Sequence, residues 1–237
     1  MRVVFFGSSP NIFSNRHYAA LEQSPCDIVA VVDTPAKARS STNTVRSSFQ
    51  PFTDKAVSSG IPVFEPNSPN EFDFVREIGR LEPDLFIAVG YIRLLKEDIL
   101  SVPRVMAMNF HASLLPAYRG KHPVFWALRH GEKSAGLTVH AMDPHLDTGD
   151  ILYQVRVRTR RRDTVAALYD RIMDASTRLV GPPGCRCRHG HSARSAAVQR
   201  KRFVFLWNIR GRLPNRLVKG CRIAAPVDLH DTGEVLL

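Results

Sequence analysis

Asn109 and His111 stand two positions apart in NFHASLLPAYRG (109–120), and Asp147 follows in LDTGD (146–150). On an extended strand end, residues two apart project to the same face, so the amide and the imidazole share one side. An amide donor, an imidazole and a carboxylate on separate polar loops are what transfer of an acyl-type group onto an amine requires. Asn109 can donate an N–H to the oxyanion of a tetrahedral intermediate. His111 titrates near neutrality and can accept or give the proton that must move. Asp147 can orient His111 and favour its charged form. Pro116, with Arg119-Gly120 just beyond it, sets a turn that holds the loop in one shape. Taken alone, an Asn-x-His pair also fits a buried strand ending in an ordinary polar loop. Context must decide.

The elements that would position these residues alternate along the chain. Short apolar runs read as buried strands at 2–6, 28–33, 84–89, 105–110, 136–141 and 150–157. Between them, helical patterns fall at 12–23, 50–59, 70–80, 120–130 and 163–178. This order predicts an α/β fold, a doubly wound, mostly parallel Rossmann-like sheet with a short β-rich C-terminal appendage. Such sheets bind ligands beyond the carboxyl ends of their strands. Asn109, Gly90-Tyr91 and Ser8-Ser9 all fall at such ends and should meet at one cleft. Gly7-Ser8-Ser9-Pro10 occupies the place of a dinucleotide fingerprint but lacks its second and third glycines, which weakens a nicotinamide-cofactor reading. Pro35 through Ser48 is polar and Ser/Thr-rich, a loop.

Composition narrows the class. At 237 residues, one domain with an appendage is expected. No apolar run approaches the ~20 residues of a membrane span, and the N-terminus has no signal-peptide pattern. Cys26, Cys185, Cys187 and Cys221 form no CxxC pair, and the C-x-C at 185–187 has no partner at zinc-site spacing. Free thiols, no metal, no membrane insertion and a cytoplasmic location are the expectations.

The net charge of +11 is unevenly placed: residues 1–150 carry 15 Lys+Arg against 16 Asp+Glu, and residues 151–237 carry 18 against 6. RVRTRRR at 156–162 is the densest block. It suits phosphate in RNA or in a nucleotide diphosphate. The competing reading is a solvated face whose Arg stems cover apolar surface. Residues 181–202 lack apolar periodicity and read as an irregular linker. FVFLWNI (203–209) reads as a strand, and 222–237 as another short one. Because a lone hairpin is marginally stable, the 203–237 appendage should pack on the main domain or pair with a second subunit as a homodimer.

Residues 1–180 resemble the catalytic domain of the formyltetrahydrofolate-dependent formyltransferases. The likeness rests on VVFFGSSP (3–10), VGYIRLL (89–95), NFHASLLPAYRG (109–120) and GLTVHAMDPHLDTGDIL (136–152), matched in order and spacing. The resemblance implies that Asn109, His111 and Asp147 are catalytic and that 10-formyltetrahydrofolate is the cosubstrate. It also implies a pterin held between Val89, Gly90, Tyr91, Ile92 and Leu95 on one side and the loop through Leu146 on the other. An apolar slot edged by backbone amides and carbonyls suits that flat ring.

Acceptor contacts are expected at Ser8, Ser9 and Asn11, with Arg119 and His122 as candidates for an acceptor phosphate. The alternative for the Ser8–Asn11 turn is a helix cap. His140 and His145 flank the site and read as structural or solvent-exposed. Family members that act on methionyl-tRNA carry a full C-terminal barrel, for which the last 55 residues are short. Sugar-nucleotide N-formyltransferases more often carry a short β-rich tail. The expected acceptor is therefore a nucleotide-linked amino sugar, a dTDP-4-amino-4,6-dideoxyhexose for surface polysaccharide. The alternatives are a methionyl-tRNA formyltransferase with a truncated C-terminal domain, so that tRNA is the partner, or a non-catalytic folate- or nucleotide-binding remnant.

Overall fold

Alternation along the first strand sets the architecture. Val3 and Phe5 enter one core while Val4 and Phe6 enter another, so the sheet is packed on both faces. The computed structural model of the chain describes residues 1–35 and 50–180, together with short strands at 227–229 and 235–236. In order, the elements are β1 (Arg2–Gly7), α1 (Ile12–Glu22), β2 (Asp27–Asp33), α2 (Phe52–Ser58), β3 (Val63–Phe64), α3 (Phe72–Gly79) and β4 (Leu85–Val89). They continue with α4 (Glu97–Leu100), β5 (Met106–His111), α5 (Pro123–Arg129), β6 (Ser134–Ala141), β7 (Ile151–Arg158) and α6 (Val165–Thr177). The tail strands are β8 (Val227–Leu229) and β9 (Val235–Leu236).

The sheet order is β3-β2-β1-β4-β5-β6-β7-β8-β9. The first five strands are parallel, and β6 runs antiparallel to both β5 and β7. This is the α/β, mostly parallel sheet expected. Chain order reverses at β1, which lies between β2 and β4, so a crevice opens at the carboxyl ends of β1 and β4.

One face is covered by α1, α2, α5 and α6 over Phe5, Ile87, Met108, Phe110 and Leu137; the other by α3 and α4 over Phe6, Phe86 and Ala107. Asn109 and His111 project on the same side as Ala107. Asn11 caps α1 by accepting from Phe13 N at 2.9 Å, and Thr164 caps α6 by accepting from Ala167 N at 3.1 Å.

Differences from the sequence reading have local causes. The helix expected at 120–130 begins at Pro123, because proline fits only the first turn. β3, two residues, and α4, a single turn, are too short to leave a pattern. The tail strands join the main sheet at its edge: β8 pairs parallel with β7, Val155 opposite Val227, and β9 pairs antiparallel with β8. The linker at 181–202, the strand expected at 203–209 and nearly all of the Pro35–Ser48 loop lie outside the described residues. Among the described residues, no helix is long and apolar enough to cross a membrane.

Candidate active site

β5 delivers Asn109 and His111 to the carboxyl edge of the sheet, and the ladder to β6 sets His140 directly opposite Asn109. Asp147 arrives on the loop between β6 and β7, with its own backbone in the left-handed region at φ 53°. Holding a non-glycine residue there costs on the order of 1 kcal/mol, a cost met where surrounding contacts over-determine the position. Those contacts are visible. Gly120 N–H donates to Asp147 Oδ2 at 2.9 Å, and Asn109 Nδ2 donates to Oδ1 at 3.2 Å. His140 Nε2 lies 3.5 Å from Oδ1, and His111 Nδ1 lies 3.5 Å from Oδ2. His111, His140 and Asp147 are all buried.

Proton positions follow from the partners. A carbonyl only accepts, so His111 Nε2–H donates to Tyr118 O at 2.9 Å, and His140 Nδ1–H donates to Ala141 O at 2.8 Å. A neutral His111 therefore carries its lone pair on Nδ1, facing Asp147. A neutral His140 carries its lone pair on Nε2, where Asn109 Nδ2 approaches to 3.2 Å. Both amide hydrogens of Asn109 are thus engaged, one by Asp147 and one by His140.

Burial pulls the His111 pKa below its ordinary value; the Asp147 charge and the Tyr118 carbonyl oppose this without cancelling it, and His140 adds to the lowering. For Asp147, burial acts to raise the pKa. A hydrogen bond from His140 in its Nε2-protonated form, the His111 charge and the Gly120 N–H outweigh it and hold the carboxyl below its usual range. The pair is poised as a neutral base beside an ionised carboxylate.

Gly90 follows β4, and the parallel register that sets Val89 beside Phe110 brings it next to His111. Its φ is +66°, and a Cβ there would sit 2.9 Å from Asn11 Nδ2 and 3.0 Å from Ser14 Oγ. Ser14 ties this corner together, donating to Val89 O at 2.6 Å and accepting from Ser8 N at 3.1 Å. Ser8 and Ser9 are buried, and Ser9 N donates to Asp33 Oδ1 at 2.8 Å. Asn11 is the cap of α1, so the turn shows the capping role that competed with acceptor binding. Arg119 and His122 are exposed on the loop between β5 and α5.

The expected folate residues divide into wall and surface. Val89 and Leu95 are fully buried, so their side chains lie in the core. Tyr91 packs its ring on Phe6 at 5.4 Å, and its buried hydroxyl has no hydrogen-bond partner. Ile92 is 45% exposed and Leu146, immediately before Asp147, is 61% exposed. An unpaired buried hydroxyl on Tyr91 and open apolar side chains on Ile92 and Leu146 are groups that suit a flat heteroaromatic ring with a polar rim. Among the described residues, no group of His, Cys, Asp and Glu is arranged to hold a metal.

His140 is the site residue that sequence reasoning set aside as structural. Its signal was a histidine on the same strand face as Thr138, visible only once β6 is known to lie antiparallel beside Asn109. His145 is exposed, as expected. The two backbone partners, Tyr118 O and Gly120 N–H, leave no trace in side-chain identity.

This fold and cleft define an α/β transferase with its polar cluster at the strand ends. The sequence matches the family described as formyl transferase over residues 1–180. A methionyl-tRNA formyltransferase from Lachnospira eligens is 37% identical over 180 residues, 76% of this chain and 56% of that protein. One from Caldanaerobacter subterraneus is 34% identical over 181 residues, 76% of this chain and 57% of that protein. Among solved structures, phosphoribosylglycinamide formyltransferase from Anaplasma phagocytophilum superposes with a TM-score of 0.61 at 28% identity, covering 75% of this chain and 81% of that one. The chain belongs to the formyl transferase family, whose one-carbon donor is formyltetrahydrofolate. It spans about 56% of the length of the first of these curated relatives.

Proposed function

We propose that this chain moves a formyl group from 10-formyltetrahydrofolate to the amine of a methionyl-tRNA. The observation that carries the reaction is the convergence of Asn109, His111 and Asp147 at the carboxyl end of β5. The acceptor follows from the relatives, which are named for methionyl-tRNA at 34–37% identity. The amino-sugar acceptor favoured by the sequence reading rested on the length of the tail. Since the chain spans only part of its relatives' length, tail length decides nothing about the acceptor, and that argument falls away.

The donor supplies an activated formyl carbon bonded to a nitrogen leaving group. The cleft residues do the rest. Val89 and Leu95 shape the slot, while Gly90, Tyr91, Ile92 and Leu146 line it. Ser8, Ser9, Asn11, Arg119 and His122 border the acceptor side. As the amine attacks, charge grows on the formyl oxygen, and Asn109 Nδ2–H is placed to meet it. Tyr118 O fixes His111 Nε2–H, so the proton released by the amine is taken at Nδ1. Asp147 stabilises the resulting imidazolium, and the proton then passes to the departing nitrogen. Residues 1–180 form the catalytic unit; the tail from 181 onward is assigned to the partner side, including a homodimer contact that sedimentation would reveal. The free thiol of Cys26 fits a reducing, cytoplasmic setting.

The test is steady-state tetrahydrofolate release with a panel of methionyl-tRNA, dTDP- and UDP-linked amino sugars, and an acceptor-free control. Turnover with charged tRNA alone is expected. Turnover confined to an amino sugar would replace the tRNA reading, and silence with folate still bound would mark a non-catalytic remnant.

A further inference from the structure

Four rings run in series across the surface beside the catalytic loop. Phe125 and Trp126 on α5 meet at 5.4 Å, Trp126 tilts over His130 at 5.8 Å, and His130 over Tyr118 at 5.7 Å. The series begins in solvent, with Phe125 44% and Trp126 43% exposed. Val124 and Ala127, on the other side of α5, are buried and hold the helix to the core. The series ends at Tyr118, whose carbonyl accepts the His111 Nε2–H at 2.9 Å. Its ring is fixed by its hydroxyl, which donates to Glu132 Oε1 at 2.7 Å.

A basic edge adjoins these rings. Arg129 and Lys133 follow Trp126 and are exposed. The β6–β7 ladder sets Arg158 opposite Ser134, and Thr159 N donates to Lys133 O at 3.0 Å, bringing exposed Arg160, Arg161 and Arg162 to the same corner. This is the densest basic block of the chain, and the catalytic chemistry makes no use of it. The corner lies at the active-site end of the sheet. Thr138 stands opposite His111, and Ser134 is four residues further out, about 13 Å at ~3.3 Å per residue.

We propose that the ring series Phe125–Trp126–His130–Tyr118 and the Arg129–Arg162 basic edge together form a docking track for a single RNA strand, which leads its 3′ end to His111. The delivery role rests on the methionyl-tRNA reading given above. Surfaces that hold single strands combine a basic groove for the backbone with aromatic rings on which successive bases stack. Both are present side by side here. A protein partner has less reason to match a corner whose exposed charge is so largely of one sign.

The experiment measures binding of a fluorescent RNA hairpin carrying a short unpaired 3′ tail, beside the same hairpin made blunt. Phe125→Ala and Trp126→Ala should weaken the tailed hairpin on the order of tenfold each, with little change for the blunt one. Arg161→Glu with Arg162→Glu should weaken both hairpins and flatten the salt dependence by about one unit of slope per lost phosphate contact. Arg76→Glu on α3, away from the track, should bind as wild type. Equal thermal midpoints show that each variant folds.

If the aromatic variants bind the tailed hairpin as tightly as wild type, the track is wrong. Binding to anionic phospholipid vesicles that the hairpin does not displace would also overturn it, in favour of a membrane surface. The two readings fail separately. Wild-type turnover with methionyl-tRNA at a KM unmoved by the aromatic variants sinks the track alone. Tail-dependent binding without such turnover keeps the track and sinks the acceptor.

Discussion

The carbonyl of Tyr118 holds the Nε2–H of His111 at 2.9 Å, which leaves Nδ1, beside Asp147, as the one nitrogen of that ring free to exchange a proton. With Tyr118 itself in the left-handed region at φ 59°, the loop is bent to make this bond. His111→Asn keeps a polar side chain but loses the titratable nitrogen. Turnover should fall by ~10²–10³, and Asn109→Ala should lose a similar factor through the missing oxyanion donor. Tetrahydrofolate release under saturating donor and acceptor measures both. Near-normal turnover in the two variants would remove them from the chemistry.

The acid side of the pH–rate profile reads the same residue. His111 is a base only when neutral, and burial holds its pKa below 6.5. The rate should therefore stay level as pH falls through 6.5 and drop only below it. Because the Asp147 charge partly opposes that lowering, Asp147→Asn should move the acid limb further down while reducing the rate overall. A profile of kcat/KM against pH for both proteins decides it. An acid limb that moves up in Asp147→Asn would contradict the assigned coupling.

Gly90 is required on two separate counts, its φ of +66° and the lack of room toward Asn11 and Ser14. Gly90→Ala should cost about 1–3 kcal/mol, from strain in the backbone and from displacing the Ser14 hydroxyl. On the proposed placement of the folate beside Gly90, KM for the donor should rise with the loss of stability. Denaturant unfolding and donor titration test the two effects independently. A variant as stable as wild type would show that the corner relaxes freely.

How far the chain could be read without coordinates differs by residue. Val3 through Phe6 and Leu85 through Val89 are uninterrupted apolar runs bounded by turn residues, so the buried parallel strands were plain. Strand alternation puts Asn109 and His111 on one face, but only the resemblance carried by NFHASLLPAYRG (109–120) singled the pair out as candidates. His140 was not, since its place depends on β6 pairing antiparallel with β5 rather than continuing the parallel order. Gly120 and Tyr118 contribute backbone atoms, which any residue would supply. Leu95 reads as a slot residue by position, yet its side chain turns into the core with Ile99 and Phe86. Orientation within an irregular loop is set by packing, and no local pattern records it.

His17 offers a stability test away from the cleft. It is completely enclosed between α1 and α6, with Nδ1 bonded to Phe13 O at 2.8 Å and Nε2 to Ser176 Oγ at 2.9 Å. Burial pushes its pKa down to about 4, while the unfolded chain titrates it near 6.5. Between those values the unfolded state binds the proton and the folded state does not. Stability is therefore undiminished above pH 6.5 and is lost as pH falls toward 4, by about 3 kcal/mol at most from this group. His17→Gln can keep a donor and an acceptor but cannot take the proton. It should be somewhat less stable at pH 7 and show a shallower decline into acid. Unfolding midpoints at pH 7, 5.5 and 4 compare the two proteins. Parallel declines would mean that His17 is already protonated, or already exposed, in the folded chain.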